Sequence, residues 1–269
     1  MLTHGSFCTG YGGLDMAVEH FYDAETVWHS EIETDCSQLL EKHGYENNLG
    51  DLTKINWDDV EPVDIMSAGF PCQPFSLAGD RKGNDDERAI FQWIADGISA
   101  LRPGVVVLEN VSGILTLGGT SVITRITEIG YDARWGLVRA SDVGACHRRQ
   151  RWFCIATDTH SEYMQELENL LSTKRFQKQS SGRFTQGGNT ETKWGKYEKA
   201  VRRWETILGR TAPVPLDDEG INASFIEWMM GLPENWVCNQ GLTRPAELKM
   251  LGNGVVPQQA LLALALLNE

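Results

Sequence analysis

Short apolar runs alternate with stretches of helical spacing from residue 2 to residue 156, and this rhythm limits the possible folds more than any other feature of the chain. Runs at 2–7, 26–30, 63–68, 105–108, 131–138 and 151–156 read as strands. The run Val105-Val106-Val107-Leu108 has no polar position, as a central strand covered on both faces requires. Residues 14–21, 35–43, 91–101 and 121–129 carry apolar side chains at helical spacing. The expectation is an α/β core, a parallel sheet in which each strand is followed by its crossover.

At 269 residues with 41% hydrophobic and 23% charged residues, the chain can bury one full core, which excludes disordered, collagen-like and disulfide-scaffold classes. The six cysteines form no CxxC pair, arguing against a structural zinc site and a secreted disulfide framework and for a reducing cytoplasm. No basic stretch followed by an apolar one opens the chain, and the longest apolar run, 260–267, is too short to span a bilayer. The expectation is a soluble cytoplasmic protein with no membrane partner. The net charge is −13, so bulk positive charge cannot drive contact with nucleic acid, and any such contact is local. The pattern changes after residue 156. Residues 171–210 carry ten Lys/Arg against three acids, a net +7, around a polar Gly-bearing stretch at 179–189. A solvated face explains a charge run of this kind, but its isolation within an acidic chain favours an anion-facing surface. The 179–189 stretch is expected to order on binding. Patterns at 225–230 and 246–267 close the chain, the latter a loop and an apolar helix that needs a core to lie against.

Several segments carry chemistry. Phe7-Cys8-Thr9-Gly10-Tyr11-Gly12-Gly13 joins the first strand to the first helix, where glycines allow close approach to a ligand or simply a tight turn. Glu31, at the end of the second strand, stands where a carboxylate reaches ribose hydroxyls. The spacing is not GxGxxG, which favours an adenosine-type cofactor without a pyrophosphate. In Gly69-Phe70-Pro71-Cys72-Gln73-Pro74-Phe75-Ser76, a cysteine between two prolines sits on a stiff loop at the carboxyl end of a strand. Cys36, Cys154 and Cys238 read instead as small buried hydrophobes. Glu109-Asn110-Val111 brings a carboxylate to the same rim, a candidate for acid/base work. His147-Arg148-Arg149-Gln150-Arg151 precedes the last strand, and alternation along an extended chain points Arg149 and Arg151 to one side, toward a phosphate, a base oxygen or Glu109.

Taken in order, these segments resemble the C5-cytosine DNA methyltransferases. The resemblance covers residues 1–157 and about 222–269, and it implies a Rossmann-like, S-adenosylmethionine-dependent fold with a small target-recognition domain. It implies a catalytic and cofactor-binding domain at 1–157 plus 240–269, and a recognition domain at 158–239. The loop Phe7, Thr9, Gly10, Gly12, Gly13 and Leu14 is similar to the cofactor loop, with Phe7 against the adenine. Glu31 matches the ribose-binding acid, Ile32 the adenine-packing residue, and Asp51-Leu52 the segment whose Asp meets the adenine amino group. Gly69 to Ser76 resembles the catalytic loop, with Pro71 toward the cofactor, Cys72 as nucleophile and Ser76 toward DNA. Asp86 to Phe91 is similar to the segment after that loop, one residue shorter, and carries Ile90 to the cofactor. Glu109-Asn110-Val111 is the ENV motif, and 144–151 resembles QxRxR with His147 for the commoner Gln and Cys146 for Pro. Phe225 to Trp236 resembles the motif that supports the recognition segment. Gly252-Asn253-Gly254-Val255 resembles the motif where the chain returns to the cofactor, with Gly254 for a more usual Ser.

The implied chemistry follows from the weak nucleophilicity of cytosine C5. The Cys72 thiolate adds to C6, Glu109 supplies a proton or hydrogen bond at N3, and Arg151 with Arg149 holds the O2 side. C5 then takes the methyl of S-adenosylmethionine, leaving S-adenosylhomocysteine; a base removes the C5 proton and Cys72 is eliminated. No metal is implied. The cytosine must first be flipped out of duplex DNA. Lys174, Arg175, Lys178, Arg183, Arg202 and Arg203 are expected on phosphates, with Trp194 and Tyr197 on bases or groove. A monomer and a cognate restriction endonuclease complete the expectation. Alternatives are a tRNA cytosine-5 methyltransferase, whose nucleophile motif is usually PPCQ rather than Gly69-Phe70-Pro71-Cys72, and a non-catalytic DNA-binding protein; a nicotinamide-dependent oxidoreductase would rest on the glycine loop alone.

Overall fold

The computed structural model describes residues 1–71, 90–159 and 194–268. Cys72, Ser76, Lys174, Arg175, Lys178 and Arg183 therefore lie outside the described residues, as does the 179–189 stretch. Six strands form the main sheet: β1 Leu2–Phe7, β2 Ala24–Ser30, β3 Ile65–Gly69, β4 Val105–Val111, β5 Tyr131–Arg139 and β6 Gln150–Asp158, in the order β2-β1-β3-β4-β6-β5. The runs read from sequence each fall on one of them. Helices α1 Gly13–Tyr22, α2 Thr34–Lys42 and α3 Ile90–Leu101, with α4 Ile114–Leu117 and α5 Gly119–Glu128, supply the crossovers between β1 and β5. After residue 194 come α6 Glu198–Leu208, a small hairpin β7 Leu216–Asp217 with β8 Gly220–Ile221, then α7 Ala223–Met229, α8 Arg244–Asn253 and α9 Pro257–Leu267.

The expectation of a wholly parallel sheet needs correction. β1, β2, β3 and β4 are parallel neighbours, but β6 runs antiparallel to both β4 and β5. The connection between Arg139 and Gln150 holds one 3-10 turn, Ala140–Val143, and is too short for a helical crossover, so the chain turns back. This reversal positions the site. It brings the first residues of β6 to the edge where β1 to β4 end, and pairs Arg151 with Val111 and Phe153 with Glu109.

Three apolar cores fill the molecule. One face of the sheet buries Phe7, Trp28, Met66, Leu108 and Trp152 against Ile94 and Ile98 of α3 and Val122 and Ile126 of α5. The other buries Ile65, Val107, Phe153 and Ile155 under Leu14, Val18 and Phe21 of α1 and Ala260, Ala263 and Leu264 of α9. The apolar C-terminal helix thus finds its core against the sheet. In the third, Val201, Trp204, Trp228 and Met230 pack with Tyr11, Leu39, Met250, Leu251 and Val256. Among the described residues, 194–239 therefore share a core with the sheet domain's glycine loop and α8. Cys154 and Cys238 are buried and Cys36 half-buried.

Candidate active site

In an α/β sheet, ligands meet the carboxyl ends of the strands where the order reverses, here between β1 and β3. The glycine loop follows β1, Glu31 follows β2, Gly69-Phe70-Pro71 closes β3, and Glu109 lies near the end of β4. Gly10 and Gly12 take φ of 60° and 82°, left-handed values that favour glycine, and a Cβ on Gly10 would meet nothing within 4 Å.

Glu31 is 8% exposed, and its two carboxylate oxygens accept the N–H groups of Gly10 and Glu33 at 2.8 Å each. Burial pushes this carboxyl up and the two N–H bonds pull it back. Asn48 fixes the backbone beneath it: its Oδ1 accepts Glu31 N–H and its Nδ2 donates to Glu31 carbonyl, both at 3.0 Å. A carboxylate has about four acceptor sites, so two remain open to further donors. Ile32 beside it is 69% exposed. Asp51 is held down at about 2 by Lys54, 2.8 Å away, and by Thr53. An exposed apolar side chain, two carboxylates and an open glycine turn fit a nucleoside-type group. The remaining cofactor candidates separate by burial. Phe7 is 1% exposed, its ring against Trp28 and Trp57, and Leu14 and Leu52 are core residues. Thr9 donates to Ser6 Oγ at 3.0 Å, Gly13 lies under Tyr11, Ile90 packs at the edge of the first core, and Pro71 and Asn253 are exposed.

Tyr11, which sequence reasoning passed over, ties the loop to the C-terminal motif. Its ring is 1% exposed, its hydroxyl donates to Val255 carbonyl at 2.6 Å, and its own carbonyl accepts from Trp236 Nε1 at 2.8 Å. Trp236 also stacks on His43, centroids 3.6 Å apart. Glu227, 1% exposed, accepts three backbone N–H groups, of Asn235, Val237 and Cys238, and so fixes the turn that presents Trp236. The only outward sign of this in the sequence is the polar Glu in Phe225-Ile226-Glu227-Trp228. Gly254 has a structural reason to replace Ser: a Cβ there would lie 1.8 Å from the Tyr11 ring. Gly254→Ser is expected to cost about 2 kcal/mol and lower Tm by roughly 4–8 °C, because the wedged ring cannot retreat. In a Tyr11→Ala background the added cost should vanish, which paired thermal melts will check.

The chemistry centres on Glu109. The residue is 6% exposed, and Arg151 Nε approaches Oε1 at 3.0 Å, an ion pair off-line for a good hydrogen bond. Residues 109 and 151 are diagonal neighbours on one face of the β4/β6 pair, a placement that the reversal of β6 creates. Burial pushes Glu109 up to about 7, against the opposing pull of Arg151 and then Arg149. A carboxyl of this kind holds a proton near neutral pH and can donate it. Its neighbour Asn110 donates from Nδ2 to Phe70 carbonyl at 2.9 Å, anchoring the start of the segment that carries Cys72. Gly69 pairs in register with Glu109, and Cys72 is three residues further along, so at most about 11 Å of chain separates it from Gly69.

The reading of Arg149 and Arg151 as alternating along one strand is corrected. Arg149 precedes β6 and has φ 29°, so strand alternation does not reach it. Its guanidinium donates to the carbonyls of Gly252, at 2.9 Å, and Gly254. Two of the arginines expected on phosphate have intramolecular partners. Arg202 pairs with Glu198 and Glu205 along α6. Arg203 donates to the carbonyls of Gly144, at 2.9 Å, and Ala145, strapping α6 to the loop before β6. Trp194 stacks on Phe225 at 5.8 Å, while Tyr197 is 59% exposed.

The profile of the C-5 cytosine-specific DNA methylase family matches residues 2–212, most of the chain. The chain belongs to that family. Among curated relatives, the type II methyltransferase M.CviJI of Paramecium bursaria Chlorella virus IL3A is 34% identical over 148 residues, 54% of this chain and 40% of that protein. M.NlaX of Neisseria lactamica is 34% identical over 158 residues, 56% of this chain and 50% of that protein. This methylase-family chain thus matches half or less of these relatives' lengths. A solved structure of the S. pombe Dnmt2 methyltransferase shares the fold, with a TM-score of 0.69 at 17% identity, covering 99% of this chain and 98% of that one. A putative DNA modification methyltransferase encoded within an E. coli prophage gives a TM-score of 0.63 at 16% identity over the full length of both chains. For a family member, the glycine loop, Glu31, Glu109 and Arg151 stand together at one sheet edge, which the β6 reversal makes possible.

Proposed function

We propose that the chain methylates C5 of cytosine in duplex DNA, with S-adenosylmethionine as donor. The observation that carries the reading is a buried, near-neutral carboxyl, Glu109, paired with Arg151 and facing the strand that leads into Cys72. Glu31, Ile32, Asp51 and the glycine loop would hold the donor, with Asn253 and Val255 closing its far side. When bound, the donor supplies an electrophilic methyl on sulfur. Everything else falls to the protein. The Cys72 thiolate forms a bond to C6, and the protonated Glu109 carboxyl donates at N3 as charge develops there. Arg151 covers the O2 side and keeps Glu109 aimed. The donor's methyl would pass from sulfur to C5; a base then takes the C5 proton, the N3 proton returns to Glu109, and the Cys72–C6 bond breaks to restore the thiolate.

Base flipping costs a few kcal/mol, and the +7 segment at 171–210 is the natural source of compensating phosphate contacts. With Arg202 and Arg203 engaged within the protein, Lys174, Arg175, Lys178 and Arg183 carry most of that proposal. The same reading assigns target recognition to 158–239 and chemistry to 1–157 with 240–269, working as a cytoplasmic monomer beside a cognate restriction endonuclease. It needs no metal ion.

The test is incorporation of labelled methyl from S-adenosylmethionine into duplex DNA and, separately, into tRNA, with methylated positions mapped by bisulfite sequencing. Label in duplex DNA at a short recurrent sequence is the expected result. Label only in tRNA would move the substrate to RNA, and no label in either would overturn the enzymatic reading.

A further inference from the structure

Gln259 is the polar exception on the buried face of α9. It is 0% exposed, beside Ala260, Ala263 and Leu264 of the second core. A buried amide costs stability unless its groups are bonded, so its partners matter. Its Nε2 donates to two carbonyls, Val138 and Arg149, at 2.8 Å each. These lie at the closed, hairpin end of the β5/β6 ladder: Val138 is next to last in β5 and Arg149 directly precedes β6. Arg149 is held there at φ 29°, a strained left-handed value for a non-glycine residue. Its guanidinium donates to Gly252 and Gly254 at the C-terminal end of α8, where free carbonyls and the helix dipole favour a cation. Arg149 is thus tied at both ends to residues 252–259, through its own carbonyl and through its side chain.

We propose that Gln259 is a positioning residue for the reaction above: it fixes Arg149 on the end of α8, so that Arg151 alone pairs with Glu109 while Arg149 acts on that carboxyl from a set distance. The inference rests on the function proposed for Glu109. Among the described residues, Arg151 and Arg149 act on Glu109 from the β6 end and Tyr11 from the glycine loop. Loss of the Gln259 tether releases Arg149 toward water and removes part of the positive field on Glu109. The carboxyl then holds its proton to higher pH.

The experiment follows the Glu109 side-chain carboxyl by carbon-13 NMR in the free protein, assigned with Glu109→Gln, in wild type, Gln259→Leu and Gln259→Asn. Gln259→Leu keeps the side-chain volume but loses both donors. Gln259→Asn keeps a shorter amide, so it holds the fold if the leucine variant does not. The Glu109 midpoint is expected to move up by about half a unit in Gln259→Leu and by less, in the same direction, in Gln259→Asn. In methyl transfer, the Glu109 limb of kcat should shift to higher pH by the same amount, with KM for DNA nearly unchanged. A midpoint that stays or moves down while Tm falls would overturn the proposal and leave Gln259 a packing residue. Absence of methyl transfer in wild type would defeat the functional reading, while the titration would still decide the role of Gln259.

Discussion

Cys72→Ser is expected to remove methyl transfer to DNA by at least about 10⁴-fold, roughly 5.5 kcal/mol of transition-state stabilisation. A hydroxyl is far less ionised than a thiol near neutral pH, and without addition to C6 the C5 carbon stays too weak a nucleophile to accept a methyl group. The flanking structure supports this assignment. β3 ends at Gly69, level with Glu109, and Asn110 Nδ2 holds the Phe70 carbonyl at 2.9 Å, two residues before Cys72. The substitution should leave DNA binding and Tm nearly unchanged, because a hydroxyl replaces a thiol of similar size and the rest of the chain is untouched. Gel-shift, thermal and label-incorporation measurements on one preparation check all three. Weakened binding or a large drop in Tm would make Cys72 structural rather than chemical.

Glu109→Gln should lower kcat about 10²- to 10³-fold, since an amide keeps the hydrogen bond but cannot deliver a proton. Its pH signature is as informative as its rate. Glu109 is pushed by burial to about 7, so wild-type kcat should fall as pH rises through 7 from this group, and the variant should lack that limb. Stability gives an independent readout. A carboxyl whose folded-state pKa is raised contributes stability that is fully present below its unfolded value near 4.3 and is lost as pH rises through about 7. Asp15, fully buried behind the glycine loop, is also pushed up to about 7 by its burial and adds to the same window. Wild-type Tm should therefore decline between about pH 5 and pH 8, less steeply in Glu109→Gln and less again with Asp15→Asn added. An unchanged slope in both variants would contradict the burial account.

Much of the fold was legible because local pattern and tertiary burial agree. Val105 to Leu108, with no polar residue, is a central strand, and the residues with helical spacing between the strands became the crossovers. The direction of β6 was not legible. Its apolar run is the same whichever way it lies, and only the short Arg139 to Gln150 connection excludes a crossover. Most of the rim residues were legible through motif order, since Glu31, Glu109 and the residues leading into Cys72 each lie at or just past the carboxyl end of a strand. The supporting shell was not. Asn48, Tyr11, Glu227 and Gln259 act on partners up to 244 residues away, as when Tyr11 bonds Val255 carbonyl, and nothing local in their segments marks those partners. Arg203 shows the converse error: in sequence it is one more positive charge, and in the fold it is a strap to Gly144.

The most direct test of the central claim is covalent capture. Duplex DNA carrying 5-fluorocytosine at the mapped target is incubated with the protein and S-adenosylmethionine, then resolved under denaturing conditions. Fluorine cannot leave C5 as a proton does, so elimination stalls with the Cys72–C6 bond intact. A denaturation-resistant protein–DNA complex in wild type, absent from Cys72→Ser and localised by peptide mass to Cys72, is the result the account requires. Methylation of ordinary DNA with no captured complex, or a complex that persists in Cys72→Ser, would contradict it.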